Sequence, residues 1–190
     1  MTEIVCRELT VKRWPDLEKL FGANGACSGC WCNWFRVSQR EFDARKYEPN
    51  RRAFRDLCAA GRPLGVLAYS GRTAVGWCTV APRADYPRLA GSRLFKPVDD
   101  RPAWSVTCFF VARDARAGGI TRVLLEGAVD YARRRGARLI EGYPVDPGRK
   151  KKQIMPMSAF HGLAPVFEAV GFATISKPSP GRCYMRLELD

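Results

Sequence analysis

The chain has 190 residues, 46% of them hydrophobic, which is enough for a sizeable core and the usual size of one domain. No apolar run approaches the roughly 18 residues of a membrane-crossing helix, and MTEIVCRELT lacks the basic-then-apolar order of a signal peptide, so a cytoplasmic protein with no membrane partner is expected. The net charge of +13 points to an anionic partner or to an arginine-rich composition inherited from a GC-rich genome.

Ile4 to Leu9 alternates loosely and reads as a strand, and Trp14 to Phe21 reads as a helix with Pro15 in its first turn. Cys27, Cys30 and Cys32 follow at C-x-x-C-x-C spacing. A closed zinc site wants four ligands, whereas the chain has one histidine, His161, and no second C-x-x-C. No metal is therefore expected, and in the cytoplasm the eight cysteines read as thiols. The segment reads as a corner where small thiols pack against the indoles of Trp31 and Trp34. Ser38 to Ala60 reads as helix, broken near Pro49 and stopped by Gly61. From Arg36 to Arg62 there are eight basic and four acidic side chains, either a solvated face or part of a basic surface.

Pro63 to Tyr69 and Thr73 to Val80 read as a hairpin turning at Ser70-Gly71-Arg72. Ala81 to Asp100, rich in proline and charge, reads as a long loop that either closes over a substrate or merely connects. Trp104 to Val111 reads as a buried central strand, Arg116 to Thr121 (RAGGIT) as a glycine turn, and Ile120 onward as a helix with one apolar face. Strand, glycine turn and helix start aim free N–H groups and a positive helix end at one point, which suits a phosphate. The arginines at 133 to 135 suit that helix's negative end. Ala137 to Tyr143 reads as a strand, Asp146 to Gln153 as a basic loop, and Ser158 to Val170 as a helix stopped by Gly171. Ala173 to Ser176 and Arg182 to Leu189 read as a last hairpin. Its second strand alternates, with Cys183, Met185, Leu187 and Leu189 inside and Arg182, Tyr184, Arg186 and Glu188 in water. The sum is an α/β (α+β) single domain with a mixed sheet of about seven strands and about four helices.

Arg116-Ala117-Gly118-Gly119-Ile120-Thr121 fits the pattern Gln/Arg-x-x-Gly-x-Gly/Ala except at Thr121. With GVLAYSGRTAVGWCTVAPR upstream and RLIEGYPVD and VFEAVGF downstream, nearly the whole chain resembles the GNAT family of acyl-CoA-dependent N-acyltransferases. The resemblance implies a central strand that splays from the next one and binds pantetheine through the backbone of Phe109, Phe110 and Val111. It implies pyrophosphate on the backbone of Ala117, Gly118, Gly119, Ile120 and Thr121, with Arg116 and Arg122 beside it. Acetyl-CoA, or another acyl-CoA, would be the co-substrate, and the amine of a small molecule would attack it directly in a ternary complex. The segment carrying Trp31 and Trp34 overlies the acceptor pocket in that family, so both are candidate pocket walls. Many relatives protonate the leaving thiolate with a tyrosine from the last helix; here Phe167 stands in Phe167-Glu168-Ala169-Val170-Gly171-Phe172. Substitute candidates are Glu141 and Tyr143, on one face of their strand, and His161 on the last helix. Glu141 is the favoured base, the alternative being a structural partner for an arginine. A second reading takes an aminoacyl-tRNA as acyl donor, with Arg149, Lys150, Lys151 and Lys152 and the Arg36–Arg62 surface holding its phosphates; a steep salt slope of binding would mark it. The final hairpin offers an edge for pairing, so a monomer or a homodimer is expected.

Overall fold

The computed structural model describes residues 3–116, 118–148 and 160–189. One sheet holds β1 (Ile4–Glu8), β2 (Gly65–Ser70), β3 (Thr73–Pro82), β4 (Trp104–Val111), β5 (Leu139–Gly142), β6 (Ala173–Ser179) and β7 (Arg182–Glu188). Their order is β1-β2-β3-β4-β5-β7-β6, and only β4 and β5 run parallel. The helices are α1 (Trp14–Phe21), α2 (Gln39–Ala44), α3 (Glu48–Ala59), α4 (Pro87–Ala90), α5 (Ile120–Arg134) and α6 (Ala164–Ala169).

Strand alternation divides the core into two layers. On one face Val66, Ala68, Cys78, Val80, Val106 and Phe109 pack against Leu124, Leu125, Ala128 and Phe167 of α5 and α6. On the other, Leu67, Tyr69 and Trp77 pack against Trp14, Leu17, Phe21 and Phe54 of α1 and α3. β2 and β3 are covered on both sides, which is why they read as continuous apolar runs. α5 ends in a Schellman motif: Gly136 has φ +82°, Ala137 N–H bonds the Ala132 carbonyl at 3.0 Å and Gly136 N–H the Arg133 carbonyl at 2.9 Å. The strand expected from Ala137 therefore begins at Leu139.

The structure corrects several expectations. The helical segment expected over 38–60 is two helices, as its break near Pro49 implied, but the break lies at Tyr47 (φ +68°) and Pro49 sits in the first turn of α3. Ser38 and Glu41 form a capping box that starts α2. The Ala81–Asp100 connection is largely ordered: Tyr86, Leu89 and Phe95 are buried beside Tyr143 and Tyr184. β7 is not wet on one face, because Tyr184 and Arg186 are buried there. The helix expected over 158–170 starts at Ala164. Gly162 has φ +80°, and Val145 bonds on either side of it, its N–H to the Gly162 carbonyl and its carbonyl to Ala164 N–H, each at 2.9 Å. His161 therefore lies in the turn before α6 and not on the helix.

Candidate active site

The β4 strand carries a bulge where its pairing changes. Thr79 faces Cys108 and Val80 faces Val106, so Thr107 is the extra residue. β5 pairs only with Trp104, Ser105 and Val106. The pairing stops at Val106, whose partner Gly142 ends β5, so among the described residues the ladder beyond it continues only on the β3 side, leaving a gap on the other. Phe109 sits in the α5 layer, 6.1 Å from the Phe167 ring, while Phe110 turns the other way, 5.5 Å from Phe21; Val111 is half-buried.

α5 begins at the end of that edge. Gly119 caps it with φ +72°, and a Cβ built there meets nothing within 4 Å. The first-turn N–H groups of Ile120 and Thr121 point out of the helix end, as in any α-helix. Arg116 Nε donates to the Val111 carbonyl at 3.2 Å, and Arg122 pairs with Glu126 at 2.8 Å. An extended strand, an uncrowded glycine and a positive helix end thus succeed one another along the chain, which fits a long ligand ending in phosphates. Ala117 and the basic residues Arg149, Lys150, Lys151 and Lys152 lie outside the described residues.

Glu141 occupies the base of the gap, fully buried. Its Oε1 accepts from Ser105 Oγ at 3.0 Å and from the hydroxyl of Tyr143. Arg83 contacts the same oxygen, and the Tyr184 hydroxyl donates to Oε2. Arg186 Nε lies 3.5 Å from Oε2, and its other arm holds Asp99 at 2.7 Å. Burial alone would raise the Glu141 pKa, but the hydrogen bonds from Tyr143 and Tyr184 and the charge of Arg83 outweigh it and hold it below the usual carboxylate range. Burial beside that carboxylate pushes the Tyr143 phenol well up. Sequence reasoning placed Glu141 and Tyr143 on one face and the structure joins them, but both are shut away from solvent and their polar atoms are committed. An ionised carboxylate with this many donors has little capacity to take a proton from an amine. Its geometry is that of a structural anion, the alternative weighed for it.

His161 is different. It is buried among Phe35 (5.7 Å between ring centroids), Phe95 (6.1 Å) and Phe160 (4.1 Å), and its Nδ1 has no hydrogen-bond partner. Burial and the charge of Arg182 pull its pKa down to about 3, against the backbone of Thr107, which favours the charged ring. The bulged residue of β4 therefore faces the imidazole.

The two indoles part company. Trp31 is a core residue, stacked on Trp14 at 6.0 Å and tilted against Phe21 at 5.5 Å, so its candidacy as a pocket wall is corrected. Trp34 is half-buried and lines a cleft of about 650 Å³ together with Phe35, Arg36, Arg88 and Phe95. Sequence reasoning missed Arg36, Arg83 and Arg88, because one basic residue among many carries no local signal. All eight cysteines are free. Cys32 is buried under the Trp77 indole, which donates to its sulfur at 3.2 Å, and contact with Cys108 and burial push its thiol up. A protonated, buried thiol of this kind packs rather than reacts.

Phe167 fills the floor of the gap. A Cβ on Gly142 would lie 2.2 Å from its Cε1. Gly142→Ala is expected to cost about 1–3 kcal/mol in chemical denaturation, with Phe167→Leu recovering part of the loss by making room. Equal stability of Gly142→Ala and wild type would contradict this packing.

A family model described as "Acetyltransferase (GNAT) family" matches residues 31–150. The chain belongs to the GNAT acetyltransferase family. Solved structures carry the same fold at low identity. Ribosomal-protein-S5-alanine acetyltransferase from Vibrio fischeri is 12% identical with a TM-score of 0.55, over 100% of this chain and 95% of that one. A Salmonella typhimurium protein solved with its cofactor acetyl-CoA is 13% identical with a TM-score of 0.53, over 98% and 94%. An N-acetyltransferase from Thermoplasma acidophilum, in complex with coenzyme A, is 12% identical with a TM-score of 0.51, over 98% and 99%. Comparison with curated proteins gives no match. No helix of this acetyltransferase, among the described residues, is long and apolar enough to cross a membrane.

Proposed function

We propose that this acetyltransferase moves the acetyl group of acetyl-CoA to the amine of a small molecule, by direct attack in a ternary complex. The observation that carries this reading is the bulge at Thr107 coinciding with the end of β4–β5 pairing, in line with the glycine-capped start of α5. The residues fit such a donor. The backbone of Phe109, Phe110 and Val111 would continue the sheet onto pantetheine. Gly118, Gly119, Ile120 and Thr121 would take the pyrophosphate, with Arg116 and Arg122 at its rim. A backbone N–H near Phe110 or Val111 would polarise the thioester carbonyl and hold the charge that grows on its oxygen.

An alkylammonium near pKa 10 must lose a proton before it attacks. That proton goes to solvent, because a buried imidazole with a pKa of about 3 is no base for an ammonium; His161 is our candidate for orienting the neutral amine. Its imidazole is neutral, its Nδ1 is free, and its other side meets the backbone of the bulge. Nδ1 would accept a hydrogen from the amine and orient the nitrogen lone pair on the carbonyl carbon. The C–N bond forms, the C–S bond breaks, the sulfur leaves as thiolate, and the second nitrogen proton passes to solvent. Phe167 has no proton to give it, so orientation carries much of the rate. Glu141 and Tyr143 would act as positioning groups that fix β5 against β7 beside the gap.

Calorimetric titration with acetyl-CoA, on protein stripped of nucleic acid, tests the donor. One-to-one binding near micromolar is expected, weakened about tenfold or more by Gly119→Val, whose side chain would enter the open space at the helix start in a strained conformation. Absence of binding at low salt would sink the reading. An amine screen with thiol-release detection then finds the acceptor.

A further inference from the structure

The cleft of about 650 Å³ between the segments around Trp34 and Arg88 has a specific chemistry. Its wall is the Arg88 guanidinium, 3.8 Å from the Trp34 ring centroid. Arg88 donates to the Trp34 carbonyl at 3.1 Å and to Gln39 Oε1 at 2.8 Å, both neutral acceptors. Among the described residues no carboxylate lies within ion-pair distance of it. Arg36, also on the lining, has a side chain only 5% exposed. Its guanidinium is occupied within the fold: it donates to the Pro63 carbonyl and the Tyr86 hydroxyl, each at 3.4 Å, lies 4.7 Å from the Tyr86 ring centroid, and faces one oxygen of Asp85 at 3.7 Å while Arg62 pairs with the other at 2.6 Å. The acidic residue on the lining, Glu41, is committed elsewhere: one oxygen closes the capping box with Ser38, and the other faces Arg45 at 3.4 Å. The cleft thus holds one guanidinium, that of Arg88, with neutral acceptors alone, beside an exposed Glu41 engaged with Ser38 and Arg45. Its inner side is Phe35 and Phe95, the two rings that flank His161.

Guanidiniums without a carboxylate partner are costly to desolvate unless an anion completes them, and a planar fork stacked on an indole is pre-organised to do so bidentately. The Arg88 guanidinium and the two rings line the cleft, and His161 lies buried behind those rings. We propose that the acceptor is an amine that also carries a carboxylate, the acid group held by Arg88 and an apolar stem lying against Phe35 and Phe95, with the amine directed inward toward His161. This deepens the acetyl-transfer reading and rests on it.

The test is a panel of matched pairs, amino acids with an apolar stem and their primary amides, such as 4-(aminomethyl)benzoic acid and 4-(aminomethyl)benzamide. Each is assayed with acetyl-CoA by thiol release. The acids are expected to exceed their amides in kcat/KM by about tenfold to a hundredfold, the effect of one charge-assisted bidentate contact. In Arg88→Gln the acid-to-amide ratio should fall to within about threefold of unity, and Arg88→Lys should recover only part of it, since an ammonium cannot fork. Amides used as well as acids, a ratio unchanged in Arg88→Gln, or a panel in which no acid is acetylated, would each overturn the proposal. Acetyl-CoA titration of the same samples separates this from failure of the family reading: no acid preference in wild type that still binds acetyl-CoA condemns the cleft, and absence of acetyl-CoA binding in wild type condemns the donor.

Discussion

Glu141→Gln is expected to lower the unfolding free energy by about 3–5 kcal/mol, because it removes the buried carboxylate that balances Arg83 and approaches Arg186 from an interior strand of the sheet. The acceptor geometry matters as well. Ser105, Tyr143 and Tyr184 all aim donors at this side chain, and an amide nitrogen turns one of those contacts into a clash of donors. The same group gives an acid limb to stability. Its folded pKa lies below its unfolded value of 4.5, so the unfolded chain binds the proton more readily. The contribution is fully present above that value and is lost as pH falls through the folded pKa. Denaturant midpoints measured from pH 6 to pH 3 should show wild type converging on Glu141→Gln at the acid end. A variant as stable as wild type but slowed by two or more orders of magnitude would instead make Glu141 the base.

How much of this was legible before the fold was known follows from the range of each signal. The strand, glycine turn and helix around Gly119 are local, and the hairpin around Gly71 and the apolar face of α5 are set by spacing within one element. These read directly. The resemblance supplied the splayed strands, while the bulge at Thr107 has no sequence mark of its own: Thr-Cys-Phe in a strand looks the same with or without an extra residue. The Glu141 cluster gathers Arg83, Asp99, Ser105, Tyr143, Tyr184 and Arg186 from four separate segments. Alternation alone therefore assigned Tyr184 and Arg186 to water. The last helix was read too long because its apolar spacing hides Gly162, whose positive φ and bonds to Val145 keep the chain out of a helix until Ala164. That error moved His161 onto the wrong kind of element. Trp31 and Trp34 are three positions apart, and only tertiary packing separates the core ring from the cleft ring.

His161→Leu is expected to lower kcat/KM by about a hundredfold while leaving the protein at least as stable at neutral pH. The two effects have one cause. A nitrogen buried without a partner is a cost to the fold that a leucine of similar volume removes, and the same free nitrogen is what a reacting amine would use. The pH dependence separates this from loss of a packing residue. The folded pKa, about 3, is far below the ordinary 6.5, so between those values the unfolded chain takes up a proton that the folded chain refuses. Stability of the wild type therefore falls as pH drops through that window, by up to about 1.4 kcal/mol per pH unit, and His161→Leu should lack this slope. For activity the sign differs. His161 is already neutral near pH 6 and above, so it contributes no limb to the rate profile there. A rise of kcat/KM with pH should report the acceptor ammonium losing its proton and should persist, at lower amplitude, in His161→Leu. Stability curves from pH 7 to pH 4 and rate profiles from pH 6 to pH 10, taken on both proteins, check each part. A variant that keeps kcat/KM within threefold of wild type, whatever its stability curve, leaves His161 a packed ring with no part in orienting the amine.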